Sequence, residues 1–395
     1  MTISVTKKIY IEHMGCVRRA LDATKFKNYF LSNNCMIVNK PQKADYLLFI
    51  TCAYRKINEN HALKRIQELK EYEGELFVGG CLPGIDGKQL YQNFKGISFS
   101  ASDNEYIDNI FPDFKIKFID LPDANLLYPR SILQIIRQYL FTFRPDLSYF
   151  KKVKDYLEKR IFLKYYYLRI AWGCIDQHCS YCVIWRGIGR LRSKPAAVCL
   201  KEFKEAIKQG YKKFIIVADN PGAYGLDINT TFTDILKKLL EVNGNNKLAI
   251  EGLHPFWLIK YADELIPLFQ SGKICSLLSP AQSGNNRILT LMNRRHNIEQ
   301  FKEILLKIRK ASPKLKFHTH IMVGFPSETE EEFKETLQLV KELKTDLVEI
   351  FGYCDSPGIA DPGLLKQRLS EELIKERTKT AIKFMVKNKI PCATE

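Results

Sequence analysis

Apolar runs separated by stretches of helical periodicity repeat along most of the chain, and they predict two successive α/β blocks. In the first block, Ile9, Tyr10 and Ile11 form a short strand and 17–31 has helical period. Residues 44–51 are almost continuously apolar, as in a strand buried on both faces of a parallel sheet. A charged amphipathic helix over 58–72 and a strand over 75–80 follow. Such alternation implies an open parallel sheet covered by helices. A second alternation starts at Tyr165. Its expected strands are 166–171, 213–217, 247–251, 274–279, 316–323 and 347–351. Helices are expected at 197–209, 232–242, 299–311, 328–343 and 371–387. Six β/α units fit a partial, TIM-like (β/α)6 barrel, not a closed eight-fold one. Between the blocks, 131–143 and 149–162 read as two basic, aromatic helices parted by Pro145, forming a linker or a substrate cap. The expected class is therefore α/β, with an open parallel-sheet domain at 1–111 and a helical linker or cap at 112–164. A barrel core at 165–368 and a C-terminal helix at 369–395 complete it.

Composition adds constraints. Hydrophobic residues make up 46% of the 395, enough for ordinary cores. No apolar run is long enough to span a membrane, and the N-terminus lacks the pattern of a signal peptide, so a cytoplasmic protein without a membrane span is expected. The net charge of +17 favours an anionic partner, although the basic residues are spread widely and equally fit a solvated surface. Only Lys151, Lys152 and Lys154 cluster.

The chain holds 11 cysteines, an odd number that points to metal or redox work and not to a disulfide framework. Cys35, Cys199, Cys275, Cys354 and Cys392 occupy apolar or isolated contexts and read as packing residues or free thiols. Cys174, Cys179 and Cys182 fall within nine residues, directly after the first barrel strand. Three soft thiolates on one loop suit an iron–sulfur cube with one iron left open, which is a catalytic design. Zinc would want a fourth ligand, and His178 is the local candidate. Cys16, Cys52 and Cys81 each lie just past a predicted strand of the first block, at the edge where open parallel sheets bind ligands.

The loop resembles that of the radical S-adenosylmethionine (SAM) superfamily, whose usual spacing is Cys-x3-Cys-x2-Cys with an aromatic before the last cysteine. Tyr181 fills that aromatic place, and the first gap here is four residues. Cys16, Cys52 and Cys81 resemble the N-terminal domain of the radical methylthiotransferases. Further matches succeed one another after the barrel strands. They include Arg192 to Pro195, Asn220 to Gly225, Leu253 to Pro255, Gln282 to Arg287 with Met292 and Arg294, Gly324 to Thr329, and Phe351 to Tyr353. The resemblance implies a 4Fe–4S cluster on Cys174, Cys179 and Cys182, and an auxiliary 4Fe–4S cluster on Cys16, Cys52 and Cys81. It places a SAM site at Tyr181, Asn220, His254, Gln282, Ser283, Arg294, Gly324, Phe325 and Tyr353. Arg287, Arg294 and Arg295 are candidates for the SAM carboxylate, for which a guanidinium is well shaped, or else form a solvated helix face. Read as residues alone, the Gly324 and Gln282 turns also fit ordinary strand-to-helix turns, and His254 fits a structural His-Pro turn.

The implied chemistry is reductive cleavage of SAM to a 5′-deoxyadenosyl radical, hydrogen removal from an unactivated C–H, and transfer of a methylthio group. No catalytic residue beyond the cluster ligands is required. An external electron donor of flavodoxin or ferredoxin type is implied. Characterised members end in a small β-barrel domain that docks the substrate. This sequence stops at Glu395, and its interval from Cys81 to Cys174 is long. A peptide or protein substrate is therefore the leading expectation, with tRNA as the alternative. A non-catalytic iron–sulfur or zinc protein is the reading from another class.

Overall fold

The computed structural model describes residues 6–125, 165–175, 179–357, 363 and 366–394. The expected helices at 131–143 and 149–162 lie outside the described residues. The chain divides into two compact units. One comprises Met1–Tyr128, Trp172–Arg192 and Cys354–Ile359; the other comprises Pro129–Ala171, Ser193–Tyr353 and Ala360–Glu395.

The first unit carries a four-stranded parallel sheet. Its strands are β1 (Lys8–His13), β2 (Met36–Val38), β3 (Tyr46–Thr51) and β4 (Glu75–Gly80), in the spatial order β2-β1-β3-β4. The apolar run of β3 is explained by two-sided burial. Leu47 and Phe49 point into a core with Ala62, Ile66 and Leu69 of helix Lys56–Lys70. Leu48 and Ile50 point into the opposite core with Phe26, Tyr29 and Phe30 of helix Val17–Ser32. Each such side chain contributes about 1.5–3 kcal/mol of burial. The order also fixes where a ligand belongs. β1 and β3 are neighbours whose connections run to opposite sides, so the crevice at their C-terminal ends is the topological switch point.

The second unit holds β5 (Tyr165–Arg169), β8 (Lys213–Val217), β9 (Lys247–Ile250), β10 (Ile274–Leu278), β11 (Lys316–Val323), β12 (Leu347–Gly352) and β13 (Cys392–Thr394). The short strands β6 (Ala171–Trp172) and β7 (Arg192–Ser193) stand in the chain on either side of the cysteine loop. The seven-stranded sheet is parallel and follows chain order from β5 to β13, the connectivity of a β/α barrel. Among the described residues no pairing joins β5 to β13, so the barrel is open. β11 alternates strictly. Phe317, Thr319, Ile321 and Val323 are buried, with Ile321 and Val323 packed against Phe333, Leu337 and Val340 of helix Glu330–Glu342. His318, His320 and Met322 face the other way and are half-buried. β12 repeats this, with Leu347, Glu349 and Phe351 on the less buried face. Among the described residues no helix is long and apolar enough to cross a membrane.

Candidate active site

All six candidate cluster cysteines fall in the first unit. Cys16 caps helix Val17–Ser32 from the end of β1, Cys52 follows β3, and Cys81 opens the short helix Cys81–Ile85 after β4. Because β1, β3 and β4 are adjacent, three cysteines remote in sequence arrive at one sheet edge. The backbone there is shaped around sulfur. Gly15 has φ +98°, and a Cβ on it would lie 2.7 Å from the Cβ and 3.0 Å from the Sγ of Cys52. Gly80, at φ +97°, brings the end of β4 against Thr51, where a Cβ would meet backbone atoms at 2.5 Å. Thr51 Oγ1 donates to the Gly79 carbonyl at 2.7 Å and accepts from the Leu82 amide at 3.2 Å, tying the two loops together. Cys52 and Cys81 are buried and Cys16 is exposed.

The second set leaves β5 and β6. Cys174, Cys179 and Cys182 are half-buried; the Cys174 amide donates to the Gly189 carbonyl at 3.1 Å, and that of Cys182 to the Cys179 carbonyl at 2.9 Å. Helix Ile184–Ile188 then packs on helix Cys81–Ile85 almost backbone to backbone. A Cβ on Gly187 would sit 2.8 Å from the Cys81 carbonyl oxygen and 3.0 Å from its Cα. Val183 and Ile188 share the apolar core of Cys81, and Cys174 packs against that core. Ser356 Oγ lies 2.8 Å from the carbonyls of both Tyr54 and Tyr181, so the loop after Cys52 and the loop of Cys182 are held to one hydroxyl. Among the described residues no three His, Cys, Asp or Glu side chains gather tightly enough for a single metal ion. A zinc ion draws thiolate sulfurs within about 4 Å of one another, given Zn–S bonds of ~2.3 Å. A four-iron cube carries its thiolates outward on separate corners. The donor set, the glycine-cut space at Cys52 and the strand ends suit such a cube.

The remaining sequence candidates lie in the second unit, at or near the C-terminal ends of its strands. Asn220 follows β8, His254 follows β9, Gln282 and Ser283 follow β10, Gly324 and Phe325 follow β11, and Tyr353 follows β12. Gln282 is the strained one. Its φ is +69°, its backbone is fixed by the His320 carbonyl and the Met322 amide, and its Oε1 is buried without a hydrogen-bond partner. Among the described SAM-site candidates it is the non-glycine residue with a positive φ. Ser283 is fully buried, and its hydroxyl accepts from the Asn285 amide at 3.1 Å, so it shapes the turn. His254 caps helix Pro255–Lys260, its Nδ1 accepting from the Phe256 amide at 3.1 Å. Burial, with Arg294 beside it, holds its imidazole well below the usual histidine range, so it is neutral and presents Nε2–H. Arg294 is 6% exposed, not on a solvated helix face, and donates to the Pro280 carbonyl at 2.6 Å. Arg287 is taken up in a bidentate pair with Glu332, at 2.6 and 2.7 Å, and in contacts to Ser327. Arg295 is exposed. Phe325 and Tyr353 meet edge to face at 5.5 Å.

Sequence reading missed two arrangements. Glu328, 2% exposed, accepts from the Gly324 amide at 2.7 Å and pairs with Arg377 at 2.7 Å, which also donates to the Glu328 carbonyl. This clamp shapes the Gly324 turn from helix Glu371–Lys387. Burial pushes the Glu328 carboxyl up to about 7. The second arrangement is Arg19, whose guanidinium reaches the sulfur of Cys81. No motif marks either. Glu328 with Arg377 and Arg19 with Cys81 are pairs across the fold, which no local pattern announces.

The Radical SAM superfamily matches residues 173–340, and the uncharacterized protein family UPF0004 matches residues 8–101. A probable threonylcarbamoyladenosine tRNA methylthiotransferase of Methanocaldococcus jannaschii is 31% identical over 91% of this chain and 78% of that protein. A tRNA-2-methylthio-N(6)-dimethylallyladenosine synthase of Trichlorobacter lovleyi is 30% identical over 94% and 80%. Among solved structures, the radical SAM methyltransferase TsrM of Kitasatospora setae, with cobalamin and a [4Fe-4S] cluster bound, aligns with TM-score 0.57 at 11% identity, over 88% of this chain and 75% of that one. The cobalamin-dependent SAM radical enzyme OxsB aligns with TM-score 0.55 at 13% identity, over 97% and 56%. At such identities the likeness is one of fold.

These relatives correct one expectation. A peptide or protein substrate was inferred from where the sequence stops and from the long interval after Cys81. The relatives are named for tRNA, and they align across about nine tenths of the chain. The protein is an enzyme that transfers a sulfur-containing group, and its cofactors are SAM and two 4Fe–4S clusters. The chain belongs to the radical SAM methylthiotransferases.

Proposed function

We propose that this enzyme transfers a methylthio group to the base of a modified adenosine in tRNA. Two groups of relatives named for tRNA adenosines support the substrate. The net charge of +17 supports a polyanionic one. In this reading Cys174, Cys179 and Cys182 hold the cluster that works with SAM, and Cys16, Cys52 and Cys81 hold the auxiliary cluster that presents sulfur. When bound, the first cluster and SAM supply a carbon radical able to take hydrogen from an unactivated C–H. The chain's own residues position and shield. His254, neutral, can donate from Nε2. The Gly324 turn, held by Glu328 and Arg377, offers backbone at close approach. Gln282 is kept in a fixed, strained pose beside it on the strand rim.

The single observation that carries the proposal is that β1, β3 and β4 deliver Cys16, Cys52 and Cys81 to one sheet edge, with the helix after Cys182 packed on Cys81. Two triads in one compact unit are what joint work on a single carbon needs. The test is anaerobic incubation of the reconstituted enzyme with SAM, a reductant and tRNA, followed by digestion and mass spectrometry of nucleosides. A methylthio-adenosine product alongside 5′-deoxyadenosine is expected. Deoxyadenosine formed with every tRNA adenosine unchanged, across tRNAs bearing either modification, would refute the substrate.

A further inference from the structure

Arg19 is buried to 2% exposure beside the auxiliary triad. Its Nη1 donates to Cys81 Sγ at 3.4 Å, and its Nη2 meets Asp22, itself 3% exposed, at 3.0 Å. Burying such a pair costs several kcal/mol per ion in desolvation, so it is poor value as a structural brace. The orientation is informative. The carboxylate lies one helical turn further along Val17–Ser32 and holds the planar fork, while the guanidinium is turned toward the sulfur. Gly15 packs on Cys52 and also approaches Arg19, so thiolates and cation share one pocket edge. The first turn of this 16-residue helix, capped by Cys16, adds its positive end.

A cube on three thiolates carries net negative charge, and gains more when reduced. Hydrogen bonds and positive charge at its sulfurs favour the reduced form. Resting on the reading of Cys16, Cys52 and Cys81 as cluster ligands, we infer that Arg19 is a positioning and tuning residue of the auxiliary cluster. Through the Cys81 sulfur it raises the cluster's reduction potential, with Asp22 as the counter-charge that aims and moderates it.

The experiment uses the full chain with Cys174→Ala, Cys179→Ala and Cys182→Ala, so that one cluster remains, and follows its EPR signal in a redox titration. Against that background, Arg19→Gln is expected to lower the reduced-to-oxidised ratio at fixed potential about tenfold, ~59 mV for one electron. Asp22→Asn, which removes the negative charge 3.0 Å from the guanidinium, is expected to shift it the opposite way. The double variant, restoring neutrality without the charged donor, should fall between Arg19→Gln and the parent, and Arg19→Lys should recover part of the loss. A packing role would change iron occupancy without ordering potentials by charge. If Arg19→Gln cannot hold iron, the upward shift of Asp22→Asn decides alone. Potentials unmoved, or moved in the same direction by both substitutions, overturn the inference while leaving the cluster reading intact. A parent without iron overturns both.

Discussion

His254 and His296 lie edge to face with ring centroids 5.4 Å apart, and burial, with Arg294 beside them, depresses both. Burial lowers His296 to about 3, against an ordinary value near 6.5. A histidine depressed in the folded state contributes fully above pH 6.5, and that contribution is lost as pH falls toward 3, because only the unfolded chain takes up the proton. At pH 5.5 the loss is about 1.4 kcal/mol for His296. We expect His296→Leu to be about that much less acid-sensitive than the parent when urea unfolding is compared at pH 7.5 and 5.5. Equal sensitivity in both chains would show that His296 is not held neutral. Arg377 makes the complementary prediction. Without it the Glu328 carboxyl, already raised by burial and still accepting from the Gly324 amide, takes up a proton, so Arg377→Ala should cost about 1–3 kcal/mol in the same assay, from lost buried hydrogen bonds and not from a bare charge. Neither effect was legible in the sequence, where His254 and Arg294 stood as possible ligand contacts and nothing singled out His296 or Arg377. Their roles depend on burial, which no local pattern encodes.

At the scale of elements, hydrophobic period located most strands and helices to within two residues. Helix 17–31 runs over Val17–Ser32, and the last helix occupies Glu371–Lys387 as expected. The strand predicted at 44–51 is observed over Tyr46–Thr51, with the Asp45 side chain just before it accepting from the Lys8 amide at 2.7 Å. β2 and β13 went unseen because each has three residues, too few to show a period. Caps and glycines at element ends carry further predictions. Thr329 and Glu332 close a capping box at helix Glu330–Glu342, and Thr329→Ala should lower unfolding free energy by about 1 kcal/mol. Gly15→Ala should act differently. Its Cβ would strike Cys52 in a backbone conformation that L residues avoid, so the variant should lose auxiliary-cluster iron while still forming 5′-deoxyadenosine. Full iron content in Gly15→Ala would contradict the cradle.

For the whole molecule, the six cysteines were recognisable in the sequence, but only the strand order brings three of them to one edge, since adjacency of β1 and β3 is a property of the sheet. The substrate was misjudged because the end of a sequence says little about what its folded part recognises. A tRNA partner predicts binding that weakens steeply between 50 and 200 mM salt, on the order of 10³-fold or more for six phosphate contacts, measurable by filter binding. The most direct test of the central claim is anaerobic iron and sulfide quantitation on three full-length chains. About eight irons are expected for the parent, from two cubes. About four are expected after Cys16, Cys52 and Cys81 are replaced by alanine, with radical formation spared and sulfur transfer stopped. About four are again expected after Cys174, Cys179 and Cys182 are replaced, with deoxyadenosine abolished. A parent holding only about four irons, or one triad whose loss leaves the iron count unchanged, would contradict the account.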